Sequence, residues 1–405
     1  MKKVLIYSQS TIAKDPRVYK QVLRLSRDYS VITIGYGSAN LVNVESFDLR
    51  NIETAKPAKG FMNKIFCAFS EKRFGYALVF KVSRMLPAWF PFVRTKIKNF
   101  LLTNGKYSRF LKKIIAEESI DLIIANDFTS LPVCCAAVKS KNVKLLYDAH
   151  EYTVGQSTND REWVKGKFPY IKYALKKYLP RCDRMTTVCY NIAEAYQKTF
   201  GIPLPTVIRN VSPYMDLSPS DRRDGKIKLV HHGLALRQRA IEEMIKTVDL
   251  LDSRFELYFY LVFKDMKYCS ELKELAQKSG RVFFMEPVPM GLLANTLNMY
   301  DIGLYILPPV NFNQLNALPN KLFEFVQARL AIAIGPSPEM AEVVGKYGLG
   351  VVAHDFRPES MAEVINSLDD DAIRSYKQNS HSCAKELSAE TEIEKLAAIA
   401  EEMIN

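Results

Sequence analysis

The stretch IKLVHHGLALRQRA, residues 227–240, decides the fold, because a pattern that has already run once along the chain starts again there. Before it, short strand-like runs recur: VLIYS (4–8), VITIGY (31–36), DLIIAN (121–126), VKLLYDAH (143–150), MTTV (185–188) and TVIRN (206–210). Helical patterns separate most of them. In DPRVYKQVLRLSRDY (15–29), Val18, Val22, Leu23 and Leu25 fall on or near one face of a 3.6-residue period. From Ile227 the rhythm resumes through FELYFYLVF (255–263), RVFFM (281–285), IGLYIL (302–307), LAIAIG (330–335) and GLGVVAH (348–354). Near-continuous apolar strands alternating with helices predict parallel sheets covered on both faces.

The expectation is therefore an α/β protein of two Rossmann-like domains. The first spans 1–210 and the second 227–385, and the Pro-, Ser- and Asp-rich segment VSPYMDLSPSDRRDGK (211–226) joins them. A final helix, 386–405, is placed to pack back on the first domain. At 405 residues the chain is long enough for each domain to bury its own core. In such sheets ligands sit beyond the carboxyl ends of the strands, so two facing sheets predict a site in a central cleft.

Composition removes several function classes. Hydrophobic residues make up 48% and charged residues 25%, which excludes wholesale disorder. Seven cysteines, with no CxxC pair and mostly apolar neighbours, read as core thiols and support neither a disulfide frame nor a zinc site. The opening MKKVLIYSQS has too short an apolar run for a signal peptide, and no run reaches the ~20 apolar residues that span a bilayer. A cytoplasmic protein is expected. GYGSAN (35–40) has Asn40 where a dinucleotide fingerprint needs its third glycine, so it reads as the turn after a strand. Asp369, Asp370 and Asp371 read as a solvated helix start.

The net charge of +12 is local. Between Lys56 and Lys113 stand fourteen Lys and Arg residues, one acid, Glu71, and twelve aromatics. Cations mixed with large rings suit the headgroup region of an anionic membrane. They would also suit single-stranded nucleic acid, or a packed helical insertion with a basic face.

Chemistry-bearing residues cluster at predicted strand ends. His150 closes VKLLYDAH and Glu151 follows it. Gly233 permits a tight turn, after which Arg237 and Arg239 bring two cations suited to a diphosphate. In LPNKLFEFVQARLAIAIG (318–335), Pro319 is placed in the first turn of a helix whose free amides face an anion, with Lys321 adding a cation. Glu324, set between Phe323 and Phe325, is a carboxylate placed to accept hydrogen bonds from both hydroxyls of a ribose.

With these pieces in order, the chain resembles the GT-B-fold glycosyltransferases of family 4, retaining enzymes that move a sugar from a nucleotide donor. The matching pieces are DPRVYKQVLRL (15–25), DLIIANDFTSLP (121–132), YDAHEYT (147–153), TVIRNVS (206–212), GLALRQRA (233–240) and PNKLFEFVQARLAIAIGPSPEMAEVV (319–344). The resemblance implies that Glu324, the second glutamate of the family's E-x7-E motif, holds the donor ribose. It implies that Arg239 binds the diphosphate, that His150 lies beside the transferred sugar, and that the backbone at Leu318 and Pro319 meets phosphate and sugar. On the first domain, position just after the predicted strands points to Asp15, Arg17, Asp127 and Glu151 as acceptor-side residues. Three departures stand out: Asn316 replaces the first glutamate of E-x7-E, Leu234 replaces an arginine often found after the glycine, and SQSTIAKDPR (8–17) lacks a glycine-rich turn. Arg237 is the substitute expected for the missing arginine, and Asn316 remains in the donor set.

The function expected is transfer of a sugar, UDP-linked by preference, to a glycan or lipid-linked acceptor in surface polysaccharide or glycolipid assembly. Domain closure would exclude water, and no metal or other cofactor is expected in the donor site. The partners expected are the nucleotide-sugar, the acceptor and an anionic membrane surface met through 56–113, with no nucleic acid. That places the protein on the inner face of the cell membrane. The alternative, drawn from Asn316 and Leu234, is a non-catalytic subunit of the same fold.

Overall fold

The computed structural model describes residues 1–52, 91–138, 142–221 and 225–405. The larger part of the cationic aromatic segment, at 56–90, lies outside the described residues. The chain divides into two compact units, Met1–Ile208 with Ile393–Asn405, and Arg209–Glu392.

The first unit is built on seven parallel strands: β1 (Lys3–Thr11), β2 (Ser30–Tyr36), β3 (Val44–Asp48), β4 (Leu122–Asn126), β5 (Lys144–Ala149), β6 (Arg184–Thr187) and β7 (Thr206–Val207). Their order in the sheet is β3-β2-β1-β4-β5-β6-β7, so the direction of winding reverses between β1 and β4. The helix Pro16–Leu25 follows β1. Asp15 caps it, accepting from the backbone N–H of Arg17 at 3.1 Å and of Val18 at 3.3 Å, and Pro16 occupies its first turn. Its buried Val18, Val22 and Leu25 meet Val4 and Ile6 of β1, and the far half of the helix Ala389–Ile404 joins that core through Leu396, Ile399, Ala400 and Met403. β3, in NVESFD, carries no apolar run and gives no strand signal in the sequence; it exists because its backbone pairs with β2 along Val31↔Val44 to Gly35↔Asp48.

The second unit has six parallel strands: β8 (Ile227–Ala235), β9 (Phe255–Phe263), β10 (Val282–Met285), β11 (Ile302–Tyr305), β12 (Ala331–Ile334) and β13 (Gly350–Val352). The order is β10-β9-β8-β11-β12-β13, with the switch between β8 and β11. β8 is longer than IKLVHHG suggests. It stays paired with β9 through Leu234↔Val262 and Ala235↔Phe263, so Gly233 and Leu234 are strand residues and not the turn expected there. The turn comes later, at Arg237–Arg239.

One glycine sets how close a helix sits to this sheet. A Cβ on Gly303 of β11 would overlap the ring of Phe325, so the helix Asn320–Gln327 lies flush on β11 with that ring on the bare backbone. Both flanking aromatics of Glu324 are fully buried, which fixes the rotation of the helix about its axis. Pro319 is the residue before this helix, at φ −78° and ψ 155°, and not in its first turn. Asp369 accepts from the Ala372 N–H at 2.8 Å and caps the helix Asp370–Cys383. The described cysteines are free, and all but Cys182 are buried. Among the described residues no helix is long and apolar enough to cross a membrane.

Candidate functional site

In the second unit the chemistry gathers at the switch between β8 and β11, where ligands of open α/β sheets bind. β8 supplies His231, His232 and Gly233, β11 supplies Tyr305, and the helix Asn320–Gln327 supplies Lys321 and Glu324. Lys321 is buried and donates from Nζ to the His232 carbonyl, with its ammonium 5.3 Å from the centre of the Tyr305 ring. Burial holds the Lys321 pKa down to about 7; Arg239 pushes in the same direction and Glu324 opposes it. Gly233 has φ +112°, and a Cβ there would stand 3.1 Å from Lys321 Nζ, so the position favours glycine on both counts.

Glu324 is 8% exposed. Its Oε2 lies 3.2 Å from His232 Nε2, which among the described residues makes no aligned hydrogen bond. Burial, then Lys321 and Arg239, drive the His232 pKa well below the usual imidazole range, so the ring is neutral beside the carboxylate. His231 is driven down in the same way and bonds through Nδ1 to the Leu304 carbonyl at 2.9 Å. Arg239 donates to the Leu234 carbonyl at 3.1 Å, and among the described residues no carboxylate stands within ion-pair distance of it. The result is one arginine, Arg239, and a lysine whose charge burial weakens, grouped about Gly233 with one carboxylate and one unaligned imidazole nitrogen.

In the first unit the polar residues form a row across buried strands. Register places Asn126 of β4 beside Asp148 of β5, and Asp148 beside Thr186 of β6. Arg17 meets Asp148 with Nε at 2.7 Å and Nη2 at 2.6 Å, and Thr186 Oγ1 donates to the same carboxylate at 2.7 Å. Burial raises the Asp148 pKa, but Arg17 and the donors outweigh it and hold the carboxyl far below its ordinary range. His150 follows β5, with Nε2 3.2 Å from Asn126 Oδ1 and 3.6 Å from Asp148 Oδ2. Burial works against its imidazolium, yet Asp148 prevails and the His150 pKa lies above normal. Glu151 is raised, by burial and then by Asp127, and accepts from Gln156.

Residues 57–211 match the family model described as Glycosyltransferase Family 4. That match covers fewer than half of the 405 residues, and the chain as a whole has the GT-B fold. None of the curated proteins compared matches it. Among solved structures, it is similar to a glycosyltransferase from Rickettsia africae at 12% identity and TM-score 0.68, covering 100% of this chain and 99% of that one. HepE from Anabaena, solved with UDP and glucose, is 12% identical with TM-score 0.66, covering 99% of this chain and 100% of that one. A point mutant of TarM from S. aureus, solved with fondaparinux, α-GlcNAc-glycerol and UDP, is 13% identical with TM-score 0.58; 75% of this chain is covered, and it spans 59% of the length of TarM. At these identities the likeness is one of fold.

The structure separates the expected site residues into two groups. Gly233, Arg239, Lys321 and Glu324 come together, with Leu318 buried and Pro319 just ahead of the helix. Others are committed elsewhere. Arg237 is spent on Glu271, at 2.6 and 3.1 Å, and on Asp265 at 3.0 Å, with its guanidinium over the Tyr268 ring, so it does not replace the missing arginine. Asn316 turns its amide onto the Phe312 carbonyl at 2.9 Å and closes the short helix Phe312–Leu315. Of the expected acceptor-side residues, Asp15 is a half-buried helix cap and Arg17 a buried ion-pair partner. Asp127, at φ +63°, starts the helix Asp127–Ala137 and accepts from the Phe128 N–H at 2.7 Å. Sequence reasoning missed Asp148, Gln21 and His232. The available signal was a carboxylate inside an otherwise apolar strand, KLLYDA, which requires a buried cation.

Proposed function

We propose that this protein is a retaining glycosyltransferase that takes a sugar from a nucleoside diphosphate, UDP by preference, and delivers it to a glycan or lipid-linked acceptor. One observation carries the donor reading: a buried carboxylate, Glu324, stands beside the unaligned His232 Nε2 and one helical turn from Lys321, with Arg239 nearby. Ribose hydroxyls donate to Glu324 and bridge to His232. Arg239, Lys321 and the first amides of the helix Asn320–Gln327 take the diphosphate and stabilise it as it leaves. In the transfer, the bond from the sugar's anomeric carbon to the phosphate oxygen breaks and a bond to the acceptor oxygen forms on the same face. The acceptor proton passes to the departing phosphate oxygen, so no side-chain nucleophile is assigned. The donor site needs no metal in this reading. UDP is favoured because HepE and TarM were both solved with it.

Thermal shift with UDP and GDP tests the proposal. At a hundredfold excess over the dissociation constant a bound nucleotide adds about 2.7 kcal/mol of stability. UDP should raise the melting temperature; no rise with either nucleotide at millimolar concentration defeats the donor reading.

A membrane-located acceptor is supported by a cationic aromatic face on the first unit. On the helices Pro91–Asn104 and Phe168–Tyr178, Lys96 and Lys177 stand 5.2 and 5.6 Å from the Tyr173 ring centre, with Lys172, Lys176 and Arg181 exposed beside them. That face suits anionic headgroups, and it would place the enzyme on the cytoplasmic side of the cell membrane.

A further inference from the structure

The buried polar row of the first unit does more than hold an ion pair, because its chemistry fixes the direction of every hydrogen bond in it. Asp148 is wholly buried and anionic against Arg17, and a carboxylate only accepts. Gln21, which lies 2.7 Å from Asp148 Oδ2, must therefore turn its NH2 to it. That leaves the Gln21 carbonyl oxygen to accept from Asn126, at 2.9 Å, and only the Asn126 NH2 can supply that hydrogen. With its NH2 committed, Asn126 offers Oδ1 to His150 Nε2 at 3.2 Å, and Nε2 must carry the hydrogen.

We propose that Asp148, Gln21 and Asn126 are positioning residues that hold His150 as its Nε2–H tautomer and reserve Nδ1 for the substrate. Nδ1 has no hydrogen-bond partner among the described residues, and the side chain remains 23% exposed. The charged groups facing the ring are Asp148 and Arg17 on its inner side, with Asp127 and Glu151 near it from the ends of β4 and β5. Protonation adds a hydrogen at Nδ1 and leaves the Nε2 bond in place, so the ring keeps its orientation in both charge states. The inference rests on the reading of His150 as the residue beside the transferred sugar. It adds what sets the chemistry of that ring.

The test is nitrogen NMR of the imidazoles in the full chain, which has five histidines. His150→Gln assigns the signal. In the native protein the neutral ring should be the Nε2–H form. Gln21→Leu should give mixed tautomers and lower kcat by roughly ten- to a hundredfold with the nucleotide-sugar KM little changed. Asp148→Asn should move the His150 midpoint down by about one pH unit, and Asn126→Asp should move it up. Opposite shifts are not produced by loosened packing, so Asn126→Asp decides the matter should Gln21→Leu fail to fold. A native Nδ1–H tautomer, or midpoints that stay put in both charge variants, overturns the inference. If UDP protects the protein while the tautomer signature is absent, this inference alone fails; if no nucleotide protects, the donor reading fails and the NMR result still stands.

Discussion

At the scale of single residues, two buried carboxylates have opposite tasks. Glu324 lies beside a neutral imidazole and a lysine whose charge burial suppresses, and the donor reading proposed above gives it the ribose. Glu324→Gln keeps the shape and removes the charge. UDP binding measured by calorimetry should weaken by about tenfold or more, since a hydrogen bond to a charged group contributes about 1.5–3 kcal/mol; equal binding would remove Glu324 from the ribose. Asp148, in contrast, is already saturated by Arg17, Gln21 and Thr186. Asp148→Ala leaves the Arg17 guanidinium buried without its partner, and urea unfolding at pH 7 should show a loss of about 3–5 kcal/mol. The pH dependence has a definite sign. The folded pKa of Asp148 lies below its unfolded value, so its stabilisation is complete above the ordinary carboxylate range, about 3.9, and is lost as pH falls towards the folded value. The stability gap between native protein and Asp148→Ala should therefore narrow from pH 7 to pH 3. A constant gap would mean that Arg17 and Asp148 are not paired as charges.

At the scale of elements, the position of Glu324 depends on how closely one helix approaches one strand. The Phe325 ring rests where a side chain on Gly303 would be, and Glu324 is the residue just before it in the helix. Gly303→Ala should push the helix Asn320–Gln327 outward, at a cost of about 1–3 kcal/mol as for other overpacked cores. UDP affinity should fall with it although Gly303 touches no nucleotide; unchanged affinity in a folded Gly303→Ala protein would show that the helix position does not set the site. This level was largely legible in the sequence, since strands buried on both faces must be apolar throughout and helices between them must be amphipathic. LAIAIG and IGLYIL therefore announced β12 and β11, and the apolar flanks of Glu324 announced a buried helix. Less legible was whatever partners decide. The end of β8 depends on β9 continuing alongside it, and β3 on the pairing edge of β2. Arg237 and Arg239 are two residues apart in sequence, yet only the first faces Asp265 and Glu271 on the helix that follows β9. No local pattern distinguishes the two. The row from Asp148 to His150 was hidden for the same reason, since Gln21 comes from the helix after β1, Asn126 from β4, and Asp148 and His150 from β5 and its end.

At the scale of the whole molecule, charge is the property that sequence and structure describe together. The excess of fourteen bases over one acid between Lys56 and Lys113 belongs to the first unit, and the described part of that unit adds Lys172, Lys176, Lys177 and Arg181 on the helix Phe168–Tyr178 and just after it. Lys176 and Lys177 stand three and four residues after Tyr173 on that helix, and Lys177 and Lys96 share the Tyr173 ring. These side chains are exposed, so they contribute little to folding and are available to an external surface. Each Lys near an anionic bilayer adds about 1 kcal/mol of attraction, so replacing Lys172, Lys176 and Lys177 by Gln should weaken binding to anionic vesicles by roughly a hundredfold. Co-sedimentation of the native protein should fall as salt shortens the Debye length from about 10 Å at 0.1 M to about 3 Å at 1 M. Neutral vesicles should recover little protein, and the triple variant should keep its thermal shift with UDP, because none of the three lysines belongs to the second unit. Native protein that stays in the supernatant with anionic vesicles at low salt would separate this cationic face from any membrane role. The acceptor would then have to come to the enzyme as a soluble glycan.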